Sequence, residues 1–130
     1  MKRYLVDTHV WLWMQSDPDR LRDETRAIVA DVRNNILFSA ASAWEIAIKY
    51  RLGKLALPEA PASYVPDRMR RSGTPMLPIE HAHVLRTAEL PDHHRDPFDR
   101  VLVAQAQLLD LTIVTADDQL SAYDVAVVAA

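Results

Sequence analysis

The sequence predicts an α/β fold, a parallel sheet with helices on both faces. Three observations lead there. Short apolar runs such as Tyr4-Leu5-Val6 and Ile36-Leu37-Phe38 alternate with segments of helical periodicity from end to end. The runs show no polar alternation, which suits strands buried on both sides of a parallel sheet. Finally, 130 residues, 49% of them hydrophobic and 25% charged, suffice for one core and are marginal for two. Residues 1–130 therefore read as a single domain without repeats or linkers.

Each element has its own local reason. Tyr4 to Val6 forms the first strand, closed by Asp7-Thr8, and Val10 to Met14 suits a short helix. A longer helix starts at Asp17-Pro18-Asp19 and reaches about Val32, with Leu21, Ile28 and Val32 on its apolar stripe. Ile36 to Phe38 is the second strand. Ala41 to Leu52 is helical, with Trp44, Ala47, Ile48 and Leu52 on one face and Gly53 as its stop. Leu55 to Pro66 is too proline-rich to assign. A helix from about Asp67 to Arg71, open to an earlier start, ends at Ser72-Gly73. Met76-Leu77 is a third strand, Glu80 to Leu90 a helix, and Pro91 to Arg95 a polar loop. Pro97 to Leu109 is the clearest helix. Thr112 to Val114 is strand four, Asp118 to Ala122 a short helix, and Val125 to Val128 strand five.

Composition removes several function classes. There is no cysteine, which excludes disulfides, thiolate zinc sites, iron–sulfur clusters and cysteine nucleophiles. No apolar run approaches the ~20 residues of a membrane span. Met-Lys-Arg-Tyr-Leu-Val starts like a leader, but Asp7 and His9 break it, so a cytoplasmic protein without membrane association is expected. A formal net charge of −3 argues against nucleic-acid binding by bulk positive charge. Twelve arginines against three lysines nevertheless favour the side chain that forks onto phosphate.

The chemical signal lies in the acids. Ligands of open parallel sheets bind beyond the carboxyl ends of the strands. Asp7 follows strand one, Glu45 lies early in the helix after strand two, and Asp117 and Asp118 follow strand four. Asp96 and Asp99 open the Pro97 helix. Each acid also has a plain structural reading. Asp96 suits an N-cap before Pro97, Thr115 and Asp118 fit a capping pattern, and Glu45 and Lys49 are spaced as a helix pair. Capping accounts less well for Asp7, Glu45, Asp99 and Asp117. Like charges ~4 Å apart repel by about 4 kcal/mol at an effective dielectric of 20, so such a cluster needs a cation or raised pKa values. Oxygen ligands without cysteine suit a hard ion, Mg2+ or Mn2+, able to activate water against a phosphodiester.

Four segments together resemble the PIN-domain ribonucleases, and among them the VapC-like toxins of bacterial type II toxin–antitoxin pairs. They are Leu5-Val6-Asp7-Thr8-His9-Val10, Ala43-Trp44-Glu45-Ile46, Asp96-Pro97-Phe98-Asp99-Arg100 running on to Ala106, and Thr115-Ala116-Asp117. The likeness covers essentially the whole chain in order. It implies a PIN-like three-layer α/β/α domain with a five-stranded parallel sheet and an endoribonuclease using Mg2+ or Mn2+. It puts the family's four acids on Asp7, Glu45, Asp99 and Asp117, as catalytic residues and metal ligands, with Thr115 near the metal. It also implies an RNA substrate, a cognate antitoxin and a homodimer.

Asp96, Asp118 and Arg100 are expected near the site. Arg51, Lys54, Arg95 and Arg100 are candidates for holding the RNA backbone. His93-His94 is not expected to bind metal, because neighbouring residues diverge on a regular element. Trp11, Trp13 and Trp44 suit a core or an interface better than a base-stacking platform.

Two other functions share the strand-end acids. A phosphoryl-transfer domain of the aspartyl-phosphatase type wants a second acid where His9 stands, and a receiver wants a late lysine, whereas none follows Lys54. A non-catalytic RNA- or protein-binding module of the same fold would bind without cleaving.

Overall fold

The computed structural model describes residues 2–130. Five strands, β1 (Arg3–Val6), β2 (Asn35–Ser39), β3 (Met76–Leu77), β4 (Thr112–Thr115) and β5 (Val127–Ala129), form one sheet in the order β3-β2-β1-β4-β5. Every pairing is parallel, with Leu5 opposite Leu37 on one side and Ile113 on the other. The helices are α1 (Thr8–Ser16), α2 (Asp23–Ala30), α3 (Ala40–Arg51), α4 (Pro61–Ser72), α5 (His81–Arg86) and α6 (Pro97–Leu109).

The pleat sorts the central strands into two cores. Tyr4, Val6, Ile36, Phe38 and Val114 pack with Val10, Trp11, Ile46, Tyr64 and Val65. Their neighbours Leu5 and Ile113 face the other way, onto Leu102, Val103, Ala106 and Leu120. This is the expected three-layer α/β/α arrangement with a five-stranded sheet. Trp11 stacks on Phe38 at 4.2 Å between ring centroids and gives its indole N–H to Thr74 Oγ1 at 3.1 Å. The buried ring thereby keeps its one polar atom satisfied.

Several elements differ from the sequence expectation. The helix expected from Asp17 to Val32 is two pieces, a 3-10 turn at Pro18–Arg20 and α2, because Leu21 and Arg22 are extended. Val32 lies beyond α2 and is 98% exposed, so it belongs to no stripe. In α3 the buried residues are Ala41, Ser42, Glu45 and Ile46, while Trp44 and Leu52 face out. The unassigned proline-rich stretch supplies the first half of α4, which starts at Pro61 and keeps Pro66 inside. Glu80 to Leu90 divides into α5 and a 3-10 turn at Thr87–Glu89. β5 starts at Val127 rather than Val125.

Because β1 is followed in space by β2 on one side and β4 on the other, the strand order reverses between β1 and β4. A crevice opens beyond the carboxyl ends at such a switch point. Asp7 and the Thr115-Ala116-Asp117 turn lie there.

Candidate active site

A pocket of 340 Å³ sits at this crevice, walled by Asp7, Glu45, Asp96, Asp99, Asp117 and His94, with Thr8, His9, Trp13, Lys49 and Ala116 completing it. The four acids expected as ligands are thus brought together from four separate elements. Local backbone chemistry aims each one.

Asp7 caps α1. Its Oδ1 accepts the Val10 N–H at 2.9 Å, and its Oδ2 accepts the Thr115 hydroxyl. Asp117 caps the 3-10 turn Asp118–Ala122, taking the Gln119 N–H on Oδ1 at 2.9 Å and leaving Oδ2 toward the pocket. Capping and pocket-facing roles therefore coexist, one oxygen each. This corrects the expectation that capping explains Asp118 better than Asp117, since Asp118 is exposed and outside the pocket.

Asp96 caps α6 as expected, accepting from Phe98 N at 2.8 Å and Asp99 N at 3.1 Å. That fixes the first turn from which Asp99 projects. Glu45 is 4% exposed and is held by Thr8 Oγ1 at 2.5 Å and by Lys49 Nζ at 2.6 Å. The helix pair seen in the sequence is real, but it lies in the pocket wall rather than on a solvated face.

Crowding shows in the acid strengths. Burial, and after it the Asp96 charge, pushes Asp99 up to about 7. Burial raises Asp7 as well, against the hydrogen bonds from Thr115 and Val10 that favour its ionised form. Asp7 and Asp99 thus favour a proton or a neighbouring cation, as buried carboxylates beside other acids do.

His94 is the residue that sequence reasoning missed. Its Nε2 lies 3.0 Å from Asp117 Oδ2 and 3.0 Å from Asp99 Oδ2, and donor atoms of the three residues lie within 4.8 Å of one another. The two rings do diverge, since His93 packs instead against Tyr123 at 5.1 Å. One of two diverging rings can still face a site. The usable signal is position: two residues before the Asp96 cap, His94 Nδ1 accepts the Asp96 N–H at 3.2 Å, turning the ring inward.

The basic candidates do not gather here. Arg51, Lys54 and Arg95 are exposed and outside the pocket wall. Arg100 points its guanidinium at backbone carbonyls instead. Thr115 lies directly behind Asp7, buried. Of the tryptophans, Trp11 is core, Trp13 joins the pocket wall, and Trp44 packs edge-on against Phe98 at 5.2 Å.

The PIN domain family matches residues 4–126. The chain belongs to the PIN-domain family. Over 61 residues it is 75% identical to the ribonuclease VapC16 of Mycobacterium tuberculosis (strain ATCC 25618 / H37Rv), a stretch that is 47% of this chain and 43% of that protein. The match thus spans less than half the length of that curated relative. Among solved structures, the VapBC2 pair of Rickettsia felis, bound to a DNA fragment from their promoter, aligns with a TM-score of 0.72 at 14% identity, covering 98% of each chain. FitAcB from Neisseria gonorrhoeae aligns at 0.59 and 22% identity, covering 95% of each chain. At these identities the likeness is one of PIN fold. No helix among the described residues is long and apolar enough to cross a membrane.

Proposed function

We propose that this PIN-domain chain is a divalent-cation-dependent endoribonuclease and the toxin of a toxin–antitoxin pair. The observation that carries the reading is the convergence of Asp7, Glu45, Asp99 and Asp117 in one pocket at the strand switch point. The upward pull on Asp7 and Asp99 adds to it: burial, with neighbouring carboxylates after it, disfavours their ionised form unless a cation is at hand. The matched stretch of the VapC16 ribonuclease supports the same activity.

The donor set fits Mg2+ or Mn2+, because the side chains gathered at the strand ends are mainly carboxylates, the oxygen ligands that hard cations take. Asp7, Glu45, Asp99 and Asp117 would hold the ion. When bound, such a cation neutralises charge at a phosphodiester and activates water for hydrolysis. The protein's own part is orientation. Thr115 holds one oxygen of Asp7, while Thr8 and Lys49 hold Glu45, so neither carboxylate is free to turn. Asp96 keeps the Asp99 turn rigid through its two backbone hydrogen bonds.

The resemblance to VapC-like toxins adds a second copy of the chain and a small antitoxin as partners. Trp44 on α3, 60% exposed, and Leu52 just past its end, 61% exposed, leave apolar surface for such contacts. An RNA substrate implies the cytoplasm. Purified protein incubated with a mixed pool of structured RNA, with Mn2+, Mg2+ or EDTA, tests the activity. Cleavage confined to the cation arms is expected. Tight RNA binding unaffected by EDTA, with no cleavage, would replace the nuclease by a binding module.

A further inference from the structure

Arg100 follows Asp99 directly, yet it does not share its pocket. Its side chain is only 16% exposed, and its guanidinium turns toward the segment leading into α6. Nη2 donates to Thr87 O at 2.7 Å and Leu90 O at 3.2 Å. Nη1 donates to Pro91 O at 3.0 Å, His94 O at 3.2 Å and Tyr123 Oη at 3.4 Å. Five acceptors thus share the four Nη–H donors, leaving no free fork for a phosphate. The one carboxylate nearby, Asp92, is 3.9 Å away and fully exposed, so charge pairing does not explain the placement.

Residues 90–96 contain no regular structure, so their backbone groups need partners from elsewhere. A single planar guanidinium supplies them to three carbonyls of this stretch, those of Leu90, Pro91 and His94, and holds Thr87 O in the preceding 3-10 turn as well. Tyr123 adds its own hydroxyl to His94 O at 3.4 Å. The far end of this braced segment is His94, whose ring sits between Asp99 and Asp117. Its Nδ1 accepts the Asp96 N–H, so the neutral ring carries its proton on Nε2 and meets the carboxylates as a donor.

We infer that Arg100 is a positioning residue for the acidic site: by bracing residues 87–94 it sets the His94 ring across Asp99 and Asp117 and so fixes the spacing of those two carboxylates. Asp99 comes from α6 and Asp117 from the turn after β4, and His94 is the side chain that touches both. Lysine cannot replace the fork, because an ammonium offers three donors from one point and cannot serve carbonyls spread over eight residues. The role in metal binding rests on the nuclease reading above; the link from Arg100 to the His94 ring does not.

The test uses Arg100→Lys, His94→Ala and the double variant, with two readouts. The 15N signals of the His94 ring should report one fixed tautomer, with the proton on Nε2, in the parent, and averaging in Arg100→Lys. Titration with Mn2+ alone should show Arg100→Lys weakening binding about 10–100-fold, the range seen when the support of a metal ligand is lost. In the His94→Ala background the same change should add nothing. Tyr123→Phe, which removes one partner at the same junction, should move the ring signals in the same direction by less. It serves if Arg100→Lys does not fold. An unchanged His94 signature in these variants, or additive effects on Mn2+ binding, would overturn the inference. A parent that neither binds Mn2+ nor cuts RNA would defeat the nuclease reading, while the ring signals would still decide the bracing.

Discussion

The Thr115 hydroxyl donates to Asp7 Oδ2 and thereby ties the ends of the two central strands, β4 and β1, together. Both residues are buried, and the Asp7 N–H also reaches back to Val114 O at 3.0 Å. The strand switch point is closed by a side-chain bond to the acid that defines it.

Thr115→Val keeps the shape but removes the donor from a buried carboxylate. A loss of about 1–3 kcal/mol is expected, since Asp7 Oδ2 is left without its partner. Urea unfolding measures it, and a variant as stable as the parent would show that the bond contributes little. The Asp7 carboxyl should also rise further, because a hydrogen bond favouring its ionised form is gone.

Asp96→Ala should act mainly through the helix. Loss of the α6 cap costs about 0.5–2 kcal/mol. Asp99 should become a stronger acid, because Asp96 is the largest charge holding its proton on. Thermal melting and RNA cleavage together decide this. A variant that is fully stable yet inactive would move Asp96 into the ligand set in place of Asp99.

Without divalent cations, stability should fall as pH rises from about 4 to about 7. Asp99 holds its proton to about 7 in the folded chain but only to 3.8 when unfolded, so the native state binds the extra proton inside that window and stability declines toward its upper end. Asp7 shifts in the same direction. Melting temperatures across pH check the slope, which Asp99→Asn should flatten. Mn2+ should restore most at the top of the window, and its binding near pH 6 should release protons.

Asp110 ends α6 in the left-handed region at φ 55°. Asp110→Gly relieves the strain of a side chain there and should raise stability by up to ~1 kcal/mol. It lies outside the acidic pocket, so RNA cleavage should not change. A drop in activity would mean the α6 end communicates with the site.

The sheet was readable in the sequence because its strands are buried on both faces, and apolar runs such as Leu5-Val6 and Ile113-Val114 have no other explanation. The strand-end acids were readable for the same reason: each stands where an apolar run stops. The apolar stripe of α3 misled because the pocket buries Glu45, so a charged residue marks the inner face while Trp44 marks the outer one. Pro66 hid the start of α4, although tertiary packing of Tyr64 and Val65 carries the helix through it. The directions of the His94 and Arg100 side chains are not legible in the sequence, because both depend on an irregular segment, where spacing along the chain says little about direction.

In the proposed function, Asp7 and Asp99 belong to one cation-dependent hydrolytic site. The most direct measurement compares the parent, Asp7→Asn and Asp99→Asn for Mn2+ binding and for cleavage of structured RNA, with folding checked by melting temperature. Folded variants that lose both cation binding and cleavage are the predicted result. Cleavage at the parent's rate in either folded variant would remove that acid from the hydrolytic site.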